Sequence, residues 1–475
     1  MTIIDIIKGL KNNHFSCYEL INFLLKTIKK NNKSLNNFIT IEYKNALKDA
    51  NKSDFLRKFN QNNELHGVPI AFKDLFCTKG IKTTCGSKML TNFIPTYNST
   101  LIERIKHAGL INLGKTNMDE FAMGSFNENS FFGLVKNPWN LKLVSGGSSG
   151  GSASAISAGL IPVSLGTDTG GSIRLPSSFC GITGLKTSYG FLSRYGIISY
   201  SSSLDQAGPM AHTVKDCAIL LNIISGYDTF DSTNLNLQKN NYLKFLNNSL
   251  KGKKIGLPIE YFKNIAAKVS YIIQETINVY TKLGIEFFDI SLPYIDTAIS
   301  AYYIIASAEA ASNLAKYDGI KFGYYKRNPK SLEELYFKTR TKGFGKEVKN
   351  RILIGAYLLN KYNYLIKAKK IRKIIYNNFI KSFKKVDCIF IPTTNYVAKQ
   401  IHTKKNKTLN IQEDIYTISV NLAGLPSINI PIGFVNKCPI GLQVITPHFT
   451  EHLLLNIAHY FQQHTHWHLN YPNVL

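Results

Sequence analysis

Residues 145–174 read SGGSSGGSASAISAGLIPVSLGTDTGGSIR, and this stretch concentrates residue types that can do chemistry. Two glycine-rich turns, at 145–152 and 168–172, each present serines, and between them lie a small-residue helix and an apolar strand. Glycine lets a backbone approach a ligand closely and take positive φ, so such turns can aim N–H groups at an anion. A serine held there is a nucleophile once a base removes its proton. One glycine-serine loop is ordinarily a flexible linker; two of them flanking an apolar strand argue for a built site. A phosphate-binding P-loop would require Gly-x-x-x-x-Gly-Lys-Ser/Thr, but Gly151 is followed by Ser152 with no lysine. Gly146-Gly147-Ser148-Ser149-Gly150 matches a nucleophile elbow literally. That reading needs a downstream acid and histidine; His212 and His402 follow, neither in a recognisable context.

Turns of this kind need a rigid frame. HGVPIAF (66–72) is a β-branched, buried-type strand ending at Lys73-Asp74, and residues 100–108 have helical spacing stopped by Gly109. A short strand at 110–113 follows, then the small-residue helix at 152–158 and the strand IPVSLGT. Long helices are expected between 304 and 385, followed by a strand pair (PSINIPIGF, PIGLQVIT) and a C-terminal helix, HLLLNIAHYFQQ. Strands alternating with helices predict an α/β fold: a large mixed, mostly parallel central sheet covered by helices on both faces. Residues 1–60 read as helical, with Ile3, Ile4, Ile7 and Leu10 on one face of the first helix. The Asn- and Lys-rich stretch 229–254 reads as a surface insertion in one domain spanning 1–475, because the core pattern resumes after it.

Bulk properties narrow the class. With 44% hydrophobic and 18% charged residues, the chain has a globular rather than a disordered composition. No apolar run reaches the roughly 18 residues that cross a bilayer, and the first residues lack a secretory pattern. The seven scattered cysteines form no C-x-x-C, so neither a disulfide framework nor a zinc site is expected, and a cytoplasmic location fits. A formal charge of +27 invites a nucleic-acid reading, with 367–385 the densest basic stretch. The high Lys and Asn content explains most of that charge as a solvated surface. His464, His466 and His468 look like a metal tract, but no other ligand supports them, and no metal is expected.

GGSSGGS followed by GTDTGGSIRLPSSFCGITGLK resembles the defining segment of the amidase signature family, and HGVPIAFKD is similar to the strand that carries that family's catalytic lysine. KTNMDEFAMGS, SRYGIISYSSSLDQAGPM, AEAASNLAKYDG, GFGKEVKNRILIG and VNLAGLPSINIPIG extend the likeness along the chain. They resemble the branch that serves tRNA-dependent amidotransferases. Ser145 and Thr187 stand where the family commonly has proline; both are loop positions that remove no catalytic group.

The resemblance implies a Ser-Ser-Lys triad: Ser172 as nucleophile, Ser148 as the bridging serine in a cis peptide, and Lys73 as general base. It implies an oxyanion hole from the N–H groups of Thr169, Gly170, Gly171 and Ser172, with Arg351 and Asp414 holding the α-carboxylate and α-amino group of glutamine. A lysine can act as base only when neutral, which burial favours. It further implies a glutaminase that needs no cofactor in this chain and supplies ammonia to a B subunit. That partner would use ATP and magnesium to convert Glu-tRNA(Gln) to Gln-tRNA(Gln), with a small C subunit completing a heterotrimer. Two alternatives are a stand-alone small-amide amidase with the same triad and a non-catalytic RNA-binding subunit.

Overall fold

In the computed structural model, residues 1–59, 61, 63–263, 265–325, 329–401 and 414–473 are described. The chain runs α1 (Ile3–Lys11), α2 (Cys17–Leu35), β1 (Phe38–Ile41), α3 (Tyr43–Lys58), β2 (Pro69–Lys73), α4 (Thr100–His107), β3 (Ile111–Thr116), β4 (Lys136–Asn137), β5 (Asn140–Val144), α5 (Gly150–Ser157) and β6 (Val163–Asp168). It continues through α6 (Arg174–Cys180), β7 (Thr183–Lys186), β8 (Gln206–Ala211), α7 (Val214–Ile224), β9 (Lys254–Pro258), α8 (Ile259–Phe262), α9 (Ala267–Lys282), β10 (Glu286–Ile290) and α10 (Ile295–Asn313). The last elements are α11 (Leu332–Gly343), α12 (Lys346–Asn360), α13 (Tyr362–Ser382), β11 (Cys388–Pro392), α14 (Ile415–Ala423), β12 (Ser427–Val435), β13 (Cys438–Ile445) and α15 (Glu451–His464).

Eleven strands form one mixed sheet in the order β1-β3-β2-β6-β8-β7-β12-β13-β11-β9-β10. Parallel pairing occupies two blocks, β3-β2-β6 and β11-β9-β10, and the strands between them pair antiparallel. The antiparallel centre follows from local turn chemistry. Asn436 and Lys437, both at positive φ, close β12 and β13 into a tight hairpin. Every residue of β6, β7 and β8 is buried, as expected of strands covered on both faces.

The N-terminal helices start where their caps dictate, since Thr2 with Asp5 and Ser16 with Glu19 form capping boxes. The buried stripe of α1 is Ile3, Ile6 and Leu10, while Ile4 and Ile7 are half-buried, so the packed face is rotated from the expected one. β1 interrupts the helical reading of 1–60: its FITI stretch pairs antiparallel with β3, a long-range partner invisible in the local pattern. Within 229–254, Tyr242, Leu246 and Leu250 are buried anchors, and the Asn234 side chain donates to the carbonyls of Gly190 and Phe191. All seven cysteines are free and buried. Among the described residues no helix is long and apolar enough to cross a membrane, and no cluster of side chains is arranged to hold a metal.

Candidate active site

Lys73 is the last residue of β2 and is fully buried. Its Nζ lies 2.7 Å from Ser148 Oγ and 2.9 Å from Thr167 Oγ1. Thr167 comes from β6, the strand beside β2, so the sheet itself supplies that contact. Ser148 sits in the first glycine-rich turn, after β5, and the Gly147–Ser148 peptide is cis. Glycine at 147 leaves the room this turn needs, since a Cβ there would meet Asp119 Oδ2 at 2.1 Å. Ser172 lies in the second turn, between β6 and α6. The two turns are tied together because Ser149 N donates to the carbonyl of Ser172 at 3.2 Å.

Burial is the dominant influence on Lys73 and lowers its pKa to about 7, against an upward pull from Asp119, Asp168 and Asp205. Burial pushes Asp119 up to about 6, opposed by the N–H groups of Asn129 and Asn127. Asp168 behaves oppositely. Burial would raise it, but Arg174, with Nε at 3.0 Å, holds it below the usual carboxylate range. Arg174 continues to Gln443 Oε1 at 2.7 Å and to the Thr417 carbonyl, so α6, β13 and α14 share one buried polar network.

Beside Ser172 lies a small, narrow cavity, lined by Gly147, Gly170, Gly171, Ser172, Arg351 and Asp414 together with Ser125, Leu175, Tyr200, Tyr302 and Tyr303. The Arg351 guanidinium on α12 stacks over the Tyr200 and Tyr303 rings at 5.6 and 5.0 Å, and its Nε bonds Glu347 at 3.0 Å. Asp414, at the start of α14, accepts from Ser125 Oγ at 2.9 Å and Tyr303 Oη at 3.3 Å. Burial raises its pKa to about 6. A fixed cation and a carboxylate thus face one small cavity whose floor carries a serine, an arrangement suited to an α-amino acid.

Lys73 meets Ser148, and Gly170, Gly171, Ser172, Arg351 and Asp414 line the cavity, but one expected member of the oxyanion set is turned away from it. The Gly171 N–H donates to Asp168 Oδ1 at 2.8 Å, so that hydrogen is turned away from the cavity. Gly171 has φ +133°, and a Cβ would meet Thr417 Oγ1 at 2.3 Å, so it shapes the turn by being small. Thr169 is anchored through its side chain, which donates to Asp205 Oδ1 at 2.6 Å, and the Gly170 carbonyl accepts from Thr417 Oγ1 at 2.6 Å. Among the described residues no histidine lines the cavity, as the elbow reading would require. His212 is buried on Ile156 O at 2.8 Å, away from the residues lining the cavity, and His402 lies outside the described residues. Sequence reasoning missed Thr167, Ser125, Tyr200 and Asp205 although each sits in a motif it quoted, because a motif does not say which atom a side chain touches. Tyr302 and Tyr303 carried no signal beyond helical spacing.

The family description "Amidase" matches residues 19–455 of the chain. The chain is similar to a protein named as the A subunit of glutamyl-tRNA(Gln) amidotransferase from Chromohalobacter salexigens, 50% identical over 99% of this chain and 98% of the relative. One of the same name from Coxiella burnetii is 49% identical over 100% and 99%. Among solved structures, the glutamyl-tRNA(Gln) amidotransferase A subunit from Thermotoga maritima superposes with a TM-score of 0.80 at 36% identity, covering 96% of this chain and 93% of that one. The native peptide amidase of Stenotrophomonas maltophilia gives 0.83 at 27% identity, over 98% and 97%.

Proposed function

The chain belongs to the amidase family, and on that premise we propose that it is the glutamine-hydrolysing subunit of a tRNA-dependent amidotransferase, supplying ammonia for the conversion of Glu-tRNA(Gln) to Gln-tRNA(Gln). The full-length likeness to proteins bearing that name supports the assignment. The observation that carries the chemistry is the buried Lys73, 2.7 Å from Ser148 Oγ, with a pKa near 7.

Glutamine binds with its α-carboxylate on Arg351 and its α-ammonium on Asp414, which brings its side-chain amide to Ser172. Neutral Lys73 takes the Ser148 proton as Ser148 takes that of Ser172, and Ser172 Oγ forms a bond to the amide carbon. The N–H groups of Thr169, Gly170 and Ser172 receive the resulting oxyanion; aimed donors in a dry site contribute roughly 3 kcal/mol each. The same relay returns a proton to the leaving nitrogen, the C–N bond breaks, and ammonia departs, leaving a γ-glutamyl ester on Ser172. Water, deprotonated along the same path, hydrolyses that ester to glutamate and restores Ser172.

In this reading the ammonia passes to a B subunit, which uses ATP and magnesium on Glu-tRNA(Gln), and a small C subunit completes a cytoplasmic heterotrimer. Contact with tRNA is made mostly through the B subunit. A stand-alone amidase for small amides uses the same triad but has no need for the Arg351–Asp414 pair. A silent RNA-binding subunit has no need for a buried, hydroxyl-bonded lysine.

The test is ammonia release from glutamine by the chain alone and with B and C subunits, ATP and Glu-tRNA(Gln), in wild type and Ser172→Ala. Release that rises with the partners and vanishes in Ser172→Ala is expected. Release from simple amides but not glutamine, indifferent to partners, would point to a stand-alone amidase, and activity surviving in Ser172→Ala would remove the nucleophile.

A further inference from the structure

Residues 119–125 touch both the first serine turn and Asp414 from a single short segment. Asp119 N donates to the carbonyl of Ser148 at 3.3 Å, and Ser125 Oγ donates to Asp414 at 2.9 Å. Between them Glu120 is almost fully buried. Its Oε2 accepts from the N–H of Gly345 at 2.8 Å, and its Oε1 accepts from Ser87 Oγ at 2.5 Å. Gly345 is the N-cap of α12, the helix that carries Arg351, and has no side-chain cap of its own. An acceptor at that position satisfies an orphan N–H at the start of the helix. The fit is tight, since a Cβ on Gly345 would lie 2.2 Å from Glu120 Oε2.

Two further observations show that this junction is built. Phe121 and Ala122 hold positive φ, 49° and 61°, a conformation that L side chains rarely adopt and that persists only where surroundings enforce it. The Phe121 ring packs on Tyr317 and on Phe344, the residue that follows α11, at centroid distances of 5.3 and 5.7 Å. Gly345 and Arg351 are six residues apart on one rigid helix, so a shift of the N-terminus moves the guanidinium with it.

We propose that Glu120 is a positioning residue: by capping α12 it sets the Arg351 guanidinium in register with the catalytic serines, and so governs affinity for the α-carboxylate of the amide substrate. The inference rests on the assignment of Arg351 to that carboxylate. Glu120 touches neither substrate nor reacting atoms; its influence passes through the helix.

The experiment measures KM and kcat for glutamine in the assembled enzyme for Glu120→Ala, Glu120→Gln, Arg351→Ala and the double variant Glu120→Ala/Arg351→Ala, with thermal unfolding of each. Losing the hydrogen bond to the Gly345 N–H predicts a rise in KM of about tenfold for Glu120→Ala with kcat held within about threefold. Glu120→Gln, which retains an acceptor for Gly345 N–H, should recover most of that rise. In the Arg351→Ala background, Glu120→Ala should add nothing to KM. A kcat loss without a KM change, or a KM rise undiminished in the double variant, overturns the proposal. If Glu120→Ala does not fold, Ser87→Ala, which removes the donor on the other carboxylate oxygen, carries the same split, and an unchanged KM there overturns it. An unaltered KM in Arg351→Ala alone would instead sink the assignment of Arg351, a separate failure.

Discussion

Lys73 and Lys115 stand at the ends of adjacent parallel strands, β2 and β3, with Phe72 in register with Lys115, and both are fully buried. Lys115 donates to the Phe76 carbonyl at 2.7 Å and Thr83 Oγ1 at 2.9 Å, and Asp74 lies 3.4 Å away. Lys73 bonds the hydroxyls of Ser148 and Thr167, and among the described residues it forms no ion pair. Burial lowers the pKa of both, but at Lys115 a touching carboxylate restrains the fall. At Lys73 the carboxylates act from farther off, and the value reaches about 7. The pair teaches that burial alone does not make a lysine a base. The deciding feature is whether its nearest partner is a carboxylate, which fixes the proton, or a hydroxyl, which can exchange one.

The sharpest break of that comparison is substitution by methionine at each site. Lys73→Met should lower ammonia release from glutamine by roughly 10²–10⁴-fold, the scale of a lost general base, and leave thermal stability equal or higher. Lys115→Met should do the reverse. It strands buried Asp74, which costs about 3–5 kcal/mol, and its melting temperature should fall while the folded fraction keeps its KM and kcat. Equal losses of activity in both variants would erase the distinction.

A smaller effect is the pH profile. Because Lys73 must be neutral, kcat/KM should rise as pH passes through about 7. The stability sign follows from the same group. Between pH 7 and 10.5 the unfolded lysine binds the proton that the folded one has lost, so its contribution to stability rises with pH across that window. Lys73→Met should flatten that part of the stability profile, measured by denaturant unfolding at several pH values. The smallest change expected is from Asp119→Asn. Removing a charge that favours the ammonium should move the acid limb of kcat/KM to lower pH, and movement the other way would show that Asp119 does not act on Lys73.

The residues proposed as catalytic were the most legible part of the sequence. Ser148 and Ser172 sit in glycine-rich turns and Lys73 ends an apolar strand, so short-range pattern marks the turns and the strand, and the family resemblance assigned roles to the three residues. Arg351 and Asp414 looked like an ordinary helix charge and a loop residue, and only resemblance singled them out. Gly171 was placed in the oxyanion set because its turn was recognised, but the direction of its N–H depends on Asp168, which nearby Arg174 and, from across the fold, Asn421 hold. The sheet pairing was less legible, since a run such as FITI carries no mark of its partner.

By itself the sequence determined the family, the two serine turns, the strand ending in a lysine, and the helices around them, because those depend on backbone conformation and apolar periodicity within a few residues. Tertiary structure alone decided which buried lysine bonds serine and threonine hydroxyls in place of a carboxylate, which way the Gly171 N–H points, and that residues 119–125 join the first serine turn to Asp414. Those properties depend on desolvation and on charges brought together from distant positions, and neither exists until the chain has folded.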